Sequence, residues 1–341
     1  MTVSYQSKHR VRRVLRILAV ILAVLLLFCI CRFFYLQRFL VYDETGVHLD
    51  YGGQPQLTPD ETPPSLPRDE LILIQDGTVG TVEGTHGGGL AAYKGVYITA
   101  GQLIDEEFRA SVADGLSNAN TVMLDMKTST GKFLYNTAIA GADKANTDLQ
   151  AIETLISQLT GRSNLTVIAR VPAFQDSAYA LTDYSQSLAI KNGALWIDQA
   201  GSYWLDPAGK DVPDYLISTA RELVSLGFDE VVFDNFQFPK SDYIHYTGEV
   251  SGLDAAYAAA QNVRQRLATF NIPVSFISDD IRITTLSHRA YIAAQTGNQV
   301  LDTVKTFADF LGGDDARLVF LTASHDTRFN PYSILAPFAG Q

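Results

Sequence analysis

The chain has 341 residues, with 26 Lys and Arg against 37 Asp and Glu, a formal charge of −11. Seven of the basic residues and none of the acids fall in the first 38 positions, so the remainder sets 19 basic against 37 acidic residues, a formal −18. A body of that sign excludes nucleic acid and anionic lipid as partners, and the only two cysteines, Cys29 and Cys31, exclude a disulfide framework beyond the N-terminal run that holds them.

In chain order, Lys8, Arg10, Arg12, Arg13 and Arg16 precede an apolar stretch over 17–36, broken only by Arg32. About 20 such residues suffice to cross a bilayer, and basic residues on the N-terminal side predict that end in the cytoplasm. The residues after the stretch, CRFFYLQRFL, offer no small-residue cleavage site, which favours an uncleaved signal anchor over a signal peptide. The reading is a cytoplasmic tail over 1–16, a transmembrane anchor over 17–36, a proline-rich linker over 37–70 and an extracytoplasmic domain over 71–341, membrane-bound through a single pass. The linker, with GGQPQLTPDETPPSLP, lacks periodicity and reads as extended.

From 71 onward, short apolar runs alternate with amphipathic ones. Candidate strands are Gly95–Thr99, Thr121–Lys127, Leu165–Val171, Ala194–Ile197, Glu230–Asn235, Ile272–Ser278, Val300–Val304 and Arg317–Ala323. Near-continuous apolarity marks them as parallel strands covered on both faces. Helices are predicted from Leu149 to a stop at Gly161, from Asp211 and Pro213 to Gly227, and around Val263 and Leu267. Eight strands alternating with helices favour a closed (β/α)8 TIM-type barrel over an open doubly wound sheet. A short tail after the last strand predicts a barrel incomplete at its C-terminal end.

The chemistry of such a barrel sits at the C-terminal ends of its strands. Those ends carry Asp125 and Lys127, then Arg170, then Trp204 and Asp206 beyond the weak fourth strand, then Asp234 with Asn235 and Gln237, then Asp279. Glycoside hydrolysis needs two carboxyl groups flanking the scissile bond, together with an aromatic platform and polar side chains for the sugar. Asp234, Asp125 and Asp206 are the catalytic candidates; Trp204, Arg170, Lys127, Gln237, Asn235 and Asp279 are the substrate-binding candidates. Each has a structural alternative. Asp125 and Lys127, two apart, form an ion pair; Arg170 satisfies strand-end carboxylates; Trp204 is a core or lid residue; Asp206 serves a turn; Asp234 caps one. There is no zinc signature, phosphate loop or G-x-S-x-G elbow, and the chemistry proposed needs no metal or other cofactor.

The ordered segments KGVYIT (94–99), LDMKTSTG (124–131), IARVPAFQDSAYA (168–180), WLDP (204–207) and GFDEVVFDNFQFP (227–239) resemble a bacterial family of glycoside-hydrolase-like domains, DUF4015, over roughly 93–327. The resemblance implies a TIM-type barrel and a carbohydrate substrate, with Asp234 at the position of a catalytic strand-end aspartate and Asp125 at that of a second characteristic acid. The chain departs from the family's F-D-Y-x-R-F-P ending, with Asn235 for the aromatic and Gln237 for the arginine, and Thr128-Ser129 stand where the family has an acidic pair. The expected function is that of a membrane-anchored, glycoside-hydrolase-like protein acting on a cell-envelope or extracellular polysaccharide. Its rivals are a catalytically inactive barrel that binds envelope glycan and a non-enzymatic envelope scaffold.

Overall fold

Eight short parallel strands carry the fold, the central ones buried on both faces. The computed structural model describes residues 40–43, 46–49 and 89–339, except 117 and 294–295. The barrel strands are β1 (Lys94–Ile98), β2 (Thr121–Asp125), β3 (Thr166–Pro172), β4 (Glu230–Asp234), β5 (Val274–Phe276), β6 (Ala290–Ala293), β7 (Leu318–Leu321) and β8 (Ser333–Pro337). They follow one another in the order β5-β4-β3-β2-β1-β8-β7-β6, every described pair parallel.

The two ends of that order meet at a seam. The His288 amide donates to the Val274 carbonyl at 2.8 Å. Two buried serine hydroxyls do the rest: Ser287 Oγ accepts from the Phe276 amide at 2.8 Å, and Ser275 Oγ accepts from the Arg289 amide at 3.0 Å. Side-chain oxygens thus replace the missing ladder and satisfy amides that would otherwise be buried unpaired. The result is a nearly closed eight-stranded barrel.

Period-two alternation divides the strand residues. Tyr93, Met123, Ile168, Val232, Tyr291, Val319, Leu321 and Leu335 fill the barrel interior. Val122, Leu124, Val167, Ala169, Val231 and Phe233 face outward into the larger core under the helices. The helices are α1 (Ala100–Ile104), α2 (Glu106–Gly115), α3 (Leu149–Thr160), α4 (Val212–Ser225) and α5 (Gly252–Ala268). Thr99, Asp105, Asp148 and Ser251 each cap one of them through a side-chain oxygen, a contact worth about 1 kcal/mol apiece. Pro213 sits in the first turn of α4, as expected.

The second half of the barrel is abbreviated. A single helical turn, Ile281–Thr284, links β5 to β6, and a 3-10 turn, Thr327–Phe329, links β7 to β8. Two expected strands require correction. Val300–Val304 is helical, part of Val300–Thr306: Val300, Phe307, Phe310 and Leu311 bury one face while Leu301 is exposed, a helical rather than an alternating pattern. Ala194–Ile197 lies outside the barrel sheet, in the excursion between β3 and β4, where it makes only isolated antiparallel bridges. Their places are taken by β6, a four-residue strand, and by β8, which ends on Pro337.

Within the stretch read as linker, Leu40–Asp43 pairs antiparallel with Gly46–Leu49, in register Tyr42 to Val47. The chain divides into two units, 1–82 and 83–341; this pair belongs to the first and the barrel to the second. The apolar stretch 17–36 lies outside the described residues. Among the described residues no helix is long and apolar enough to cross a membrane.

Candidate active site

Met123, Ile168 and Val232 point into the barrel, so the residues two further along their strands do so as well, one layer nearer the C-terminal mouth. Those residues are Asp125, Arg170 and Asp234. The sheet register sets Asp125 beside Arg170 and Asp234 beside Pro172. The Arg170 guanidinium grips Asp125 with two hydrogen bonds, Nε to Oδ1 at 2.6 Å and Nη2 to Oδ2 at 3.0 Å. Its third nitrogen, Nη1, lies 3.9 Å from Asp234 Oδ2. One guanidinium therefore holds both carboxyls on a single mouth. Asp125 and Arg170 keep 17% side-chain exposure and Asp234 keeps 30%, so the least constrained of the three is also the most accessible.

The environment separates the two acids. Burial raises the Asp234 pKa above its ordinary value; Arg170 and the Asn235 amide pull it back, and the Asp125 charge adds to the rise. Asp125 is instead in direct ion-pair contact, with a further hydrogen bond from the Ala100 amide at the α1 N-terminus, 3.3 Å from Oδ2. Burial works against the Arg170 charge, yet its hydrogen bonds and charge contact with Asp125 leave its pKa raised. The side chain lies 5.6 Å from the centre of the Tyr97 ring. Asp125, Arg170 and Asp234 line a cleft of about 270 Å³ together with Thr99, Lys127, Ser129, Gln175 and Asn235.

The turn after β4 explains one departure from the family pattern. Asn235 has φ +51, a left-handed conformation that Asn tolerates better than an aromatic residue does. The reversal leaves Asp234 at the mouth and sends Phe236 into the core against Phe174 and Phe276, with ring centres 4.5 and 4.6 Å away. The Asn235 amide donates to Asp234 Oδ1 at 2.7 Å. Its side chain opens a hydrogen-bond chain: Asn235 Nδ2 donates to Gln175 Oε1 at 2.7 Å, and Gln175 Nε2 donates to Asp198 Oδ2 at 2.8 Å. Burial opposes the Asp198 charge, but the donors of Trp204, Ser202, Gln175 and Ala200 outweigh it and lower its pKa. Asp198 and Gln175 are site residues that the strand-end pattern does not single out, although an acid directly follows the run Ala194–Ile197.

Of the remaining candidates, Lys127 also lines the cleft, and Trp204, Asp206, Gln237 and Asp279 do not. Lys127 does not pair with Asp125. Strand β2 ends at Asp125, and Lys127 turns under the rim, where its Nζ meets Asp176 Oδ2 at 2.7 Å with side-chain exposure of only 1%. Pro172 O accepts from the same ammonium at 3.0 Å, and Tyr215 OH donates to Asp176 Oδ2 at 2.6 Å. The Lys127 ammonium is committed to this buried pair, while the residue itself lines the floor of the cleft. Trp204 is buried at 6% exposure, tilted against Trp196, with Nε1 donating to Asp198 at 2.8 Å; it presents no open platform to a sugar. Asp206 sits in a turn and accepts from the Ala208 amide at 2.8 Å, with its pKa raised by burial, and it is not among the cleft residues. Gln237 Oε1 accepts from the Asp279 amide at 3.0 Å, and Asp279 pairs with Lys240 at 2.7 Å; both lie along the rim rather than in the cleft. Thr128 Oγ1 accepts from the Lys132 amide at 3.0 Å, so the position of the missing acidic pair serves a loop. Among the described residues no cluster of His, Cys, Asp and Glu could hold a metal ion.

A nearly closed parallel barrel with two aspartates facing one another across an arginine at its C-terminal mouth defines a glycoside-hydrolase-like (β/α)8 domain. Residues 95–309 match the family described as "Putative glycosyl hydrolase domain", DUF4015, and the chain belongs to that family. Solved structures agree on the fold. α-L-Fucosidase isoenzyme 2 from Paenibacillus thiaminolyticus aligns at 11% identity and TM-score 0.53 over 68% of this chain and 40% of that one. The α-galactosidase from Lactobacillus brevis aligns at 12% and 0.52 over 72% and 37%. This chain therefore spans less than half the length of either enzyme. A hypothetical protein from Ruminiclostridium thermocellum ATCC 27405 aligns at 24% identity and TM-score 0.48 over 55% of this chain and 98% of that one. No curated protein matches the sequence.

Proposed function

We propose that the protein is a glycoside hydrolase that cleaves a polysaccharide of the cell envelope or extracellular space, with Asp234 as general acid and the carboxylate of Asp125 as its partner. The observation that carries this reading is the placement of both carboxyls around Arg170 in one open cleft. A glycosidic oxygen leaves as an alkoxide unless it is protonated, and an aspartate whose pKa is raised by burial is suited to supply that proton. As the bond from the anomeric carbon to oxygen breaks, positive charge grows on the sugar ring and the Asp125 carboxylate faces it; a water oxygen then bonds to the anomeric carbon, directly or after an Asp125 ester, and the proton that the water gives up restores the acid. Arg170 fixes the Asp125 oxygens in place and restrains Asp234 from titrating too high.

The anchor over 17–36 belongs to the same proposal. It would hold the domain outside the membrane and near its polymer, consistent with an acidic body that has no use for nucleic acid. One observation favours a second reading, an inactive barrel that binds glycan: both oxygens of Asp125 are already engaged. A panel of envelope and extracellular polysaccharides, scored in parallel for binding and for release of reducing ends, separates the two. Reducing ends from at least one polymer support hydrolysis. Binding without release supports the inactive barrel, and neither response overturns both.

A further inference from the structure

The cleft around Asp234 measures about 270 Å³, at or below the low end of the range for small-molecule sites, so a polymer must find most of its binding free energy elsewhere. A second cavity of about 540 Å³ opens beside it on the same rim, between residues 196–200 and residues 240–243. Asp198 belongs to its wall and is hydrogen-bonded to Gln175, a wall residue of the catalytic cleft. The two cavities are thus separated by one shared hydrogen-bonded partition.

The outer groove has the character of a sugar site that the catalytic cleft lacks. Tyr243 is 80% exposed and Ile197 is 49% exposed, apolar surface with no described partner to cover it, while Lys240, Gln199 and Ser241 supply polar groups. Its walls are held firmly. Ile197 bridges to Tyr203, Ala189 to Leu195, and Ile190 to Ile244, and the His245 amide donates to the Ala189 carbonyl at 2.8 Å. The excursion after β3 and the loop after β4 are in this way sewn into one antiparallel patch, and a preorganised patch binds at lower entropic cost.

We infer that this groove is an accessory subsite for the same glycan chain, taking sugar units beyond those that flank the cleaved bond, with Tyr243 as the ring against which a pyranose packs. The inference rests on the hydrolase reading and narrows it to cleavage within a polymer rather than release of a single terminal sugar. Interactions with remote units of a substrate are what such an enzyme converts into rate at the reacting bond.

The test uses the full-length protein and a size-graded series of two to eight units prepared from whichever polysaccharide the panel shows to be cleaved. Tyr243→Ala and Ile197→Ser should each lower kcat/KM by about tenfold on six or more units, the scale of one lost aromatic or apolar contact, while leaving dimers and trimers unaffected. Tyr184→Ala, a change at another exposed tyrosine outside the groove, should have no effect at any length. Equal losses on short and long substrates, or no loss at any length, would overturn the subsite while leaving the hydrolase reading standing. Absence of cleavage of any polymer by the wild-type protein would remove that reading, and the subsite with it.

Discussion

Arg170 contacts both candidate acids, and its charge is one of the forces that set the Asp234 pKa. The direction follows from the physics. Asp234 has a raised pKa, so its acid form persists to higher pH than an ordinary aspartate, and a rate that needs that form falls as pH rises through the pKa. Replacing Arg170 by Met removes a charge that lowers the pKa and leaves Asp125 unpaired beside it, and both changes favour the protonated form. The falling alkaline limb of the pH–kcat/KM profile should move to higher pH in Arg170→Met, alongside a loss of rate; an unmoved limb would separate Asp234 from the titration. Lys127 makes a different prediction. It and Asp176 are a fully buried ion pair, so Lys127→Met alone should cost about 3–5 kcal/mol in denaturant unfolding by stranding a charge. Gly131 is part of the same cluster: it has φ +91, and a Cβ there would run into the Asp176 carboxylate, so Gly131→Ala should destabilise as well. The sequence shows Asp125 and Lys127 two apart, which suggests a pair on one strand face. It does not show that β2 stops between them, and that boundary gives the two cleft residues different partners, Arg170 for Asp125 and Asp176 for Lys127.

At the level of elements, the barrel is strongest where β2, β3 and β4 pair over five residues and weakest at the seam between β5 and β6, where serine hydroxyls stand in for ladder bonds. Amide exchange should accordingly be faster in β5 and β6 than in β3 and β4. Ser275→Ala removes an acceptor for the Arg289 amide and a donor to Glu230 Oε1 at 2.6 Å; it should cost about 1–3 kcal/mol and widen that difference. Legibility at this scale tracks burial on both faces. β2, β3 and β4 are apolar runs flanked by clear helix signals, and they are found where expected. Ala290–Ala293 and Ser333–Pro337 are short, and one ends in proline, so neither carries such a signal. Val300–Val304 mimics a strand because a valine at each end frames it, and only the register with Phe307 and Phe310 discloses the helix.

For the whole molecule, the sequence argues for a barrel, an acidic body and an N-terminal anchor, and the first of these is the fold observed. The site was legible as a set of strand-end acids, since period two and strand direction place Asp125 and Asp234 at one mouth. It was not legible as a network, because Gln175, Asn235 and Asp198 converge from three loops whose paths no local pattern encodes. The proposed anchor makes its own prediction: the full chain should sediment with membranes and resist carbonate extraction, and deletion of residues 1–36 should release it. The central claim is that Asp234 donates the proton that lets the glycosidic oxygen leave. Its most direct test is the rate of reducing-end release by Asp234→Asn, an isosteric change, against wild type on the polymer that the wild type cleaves. Loss of a general acid should slow release by about 10²–10⁴-fold with binding retained, whereas release at the wild-type rate would contradict the account.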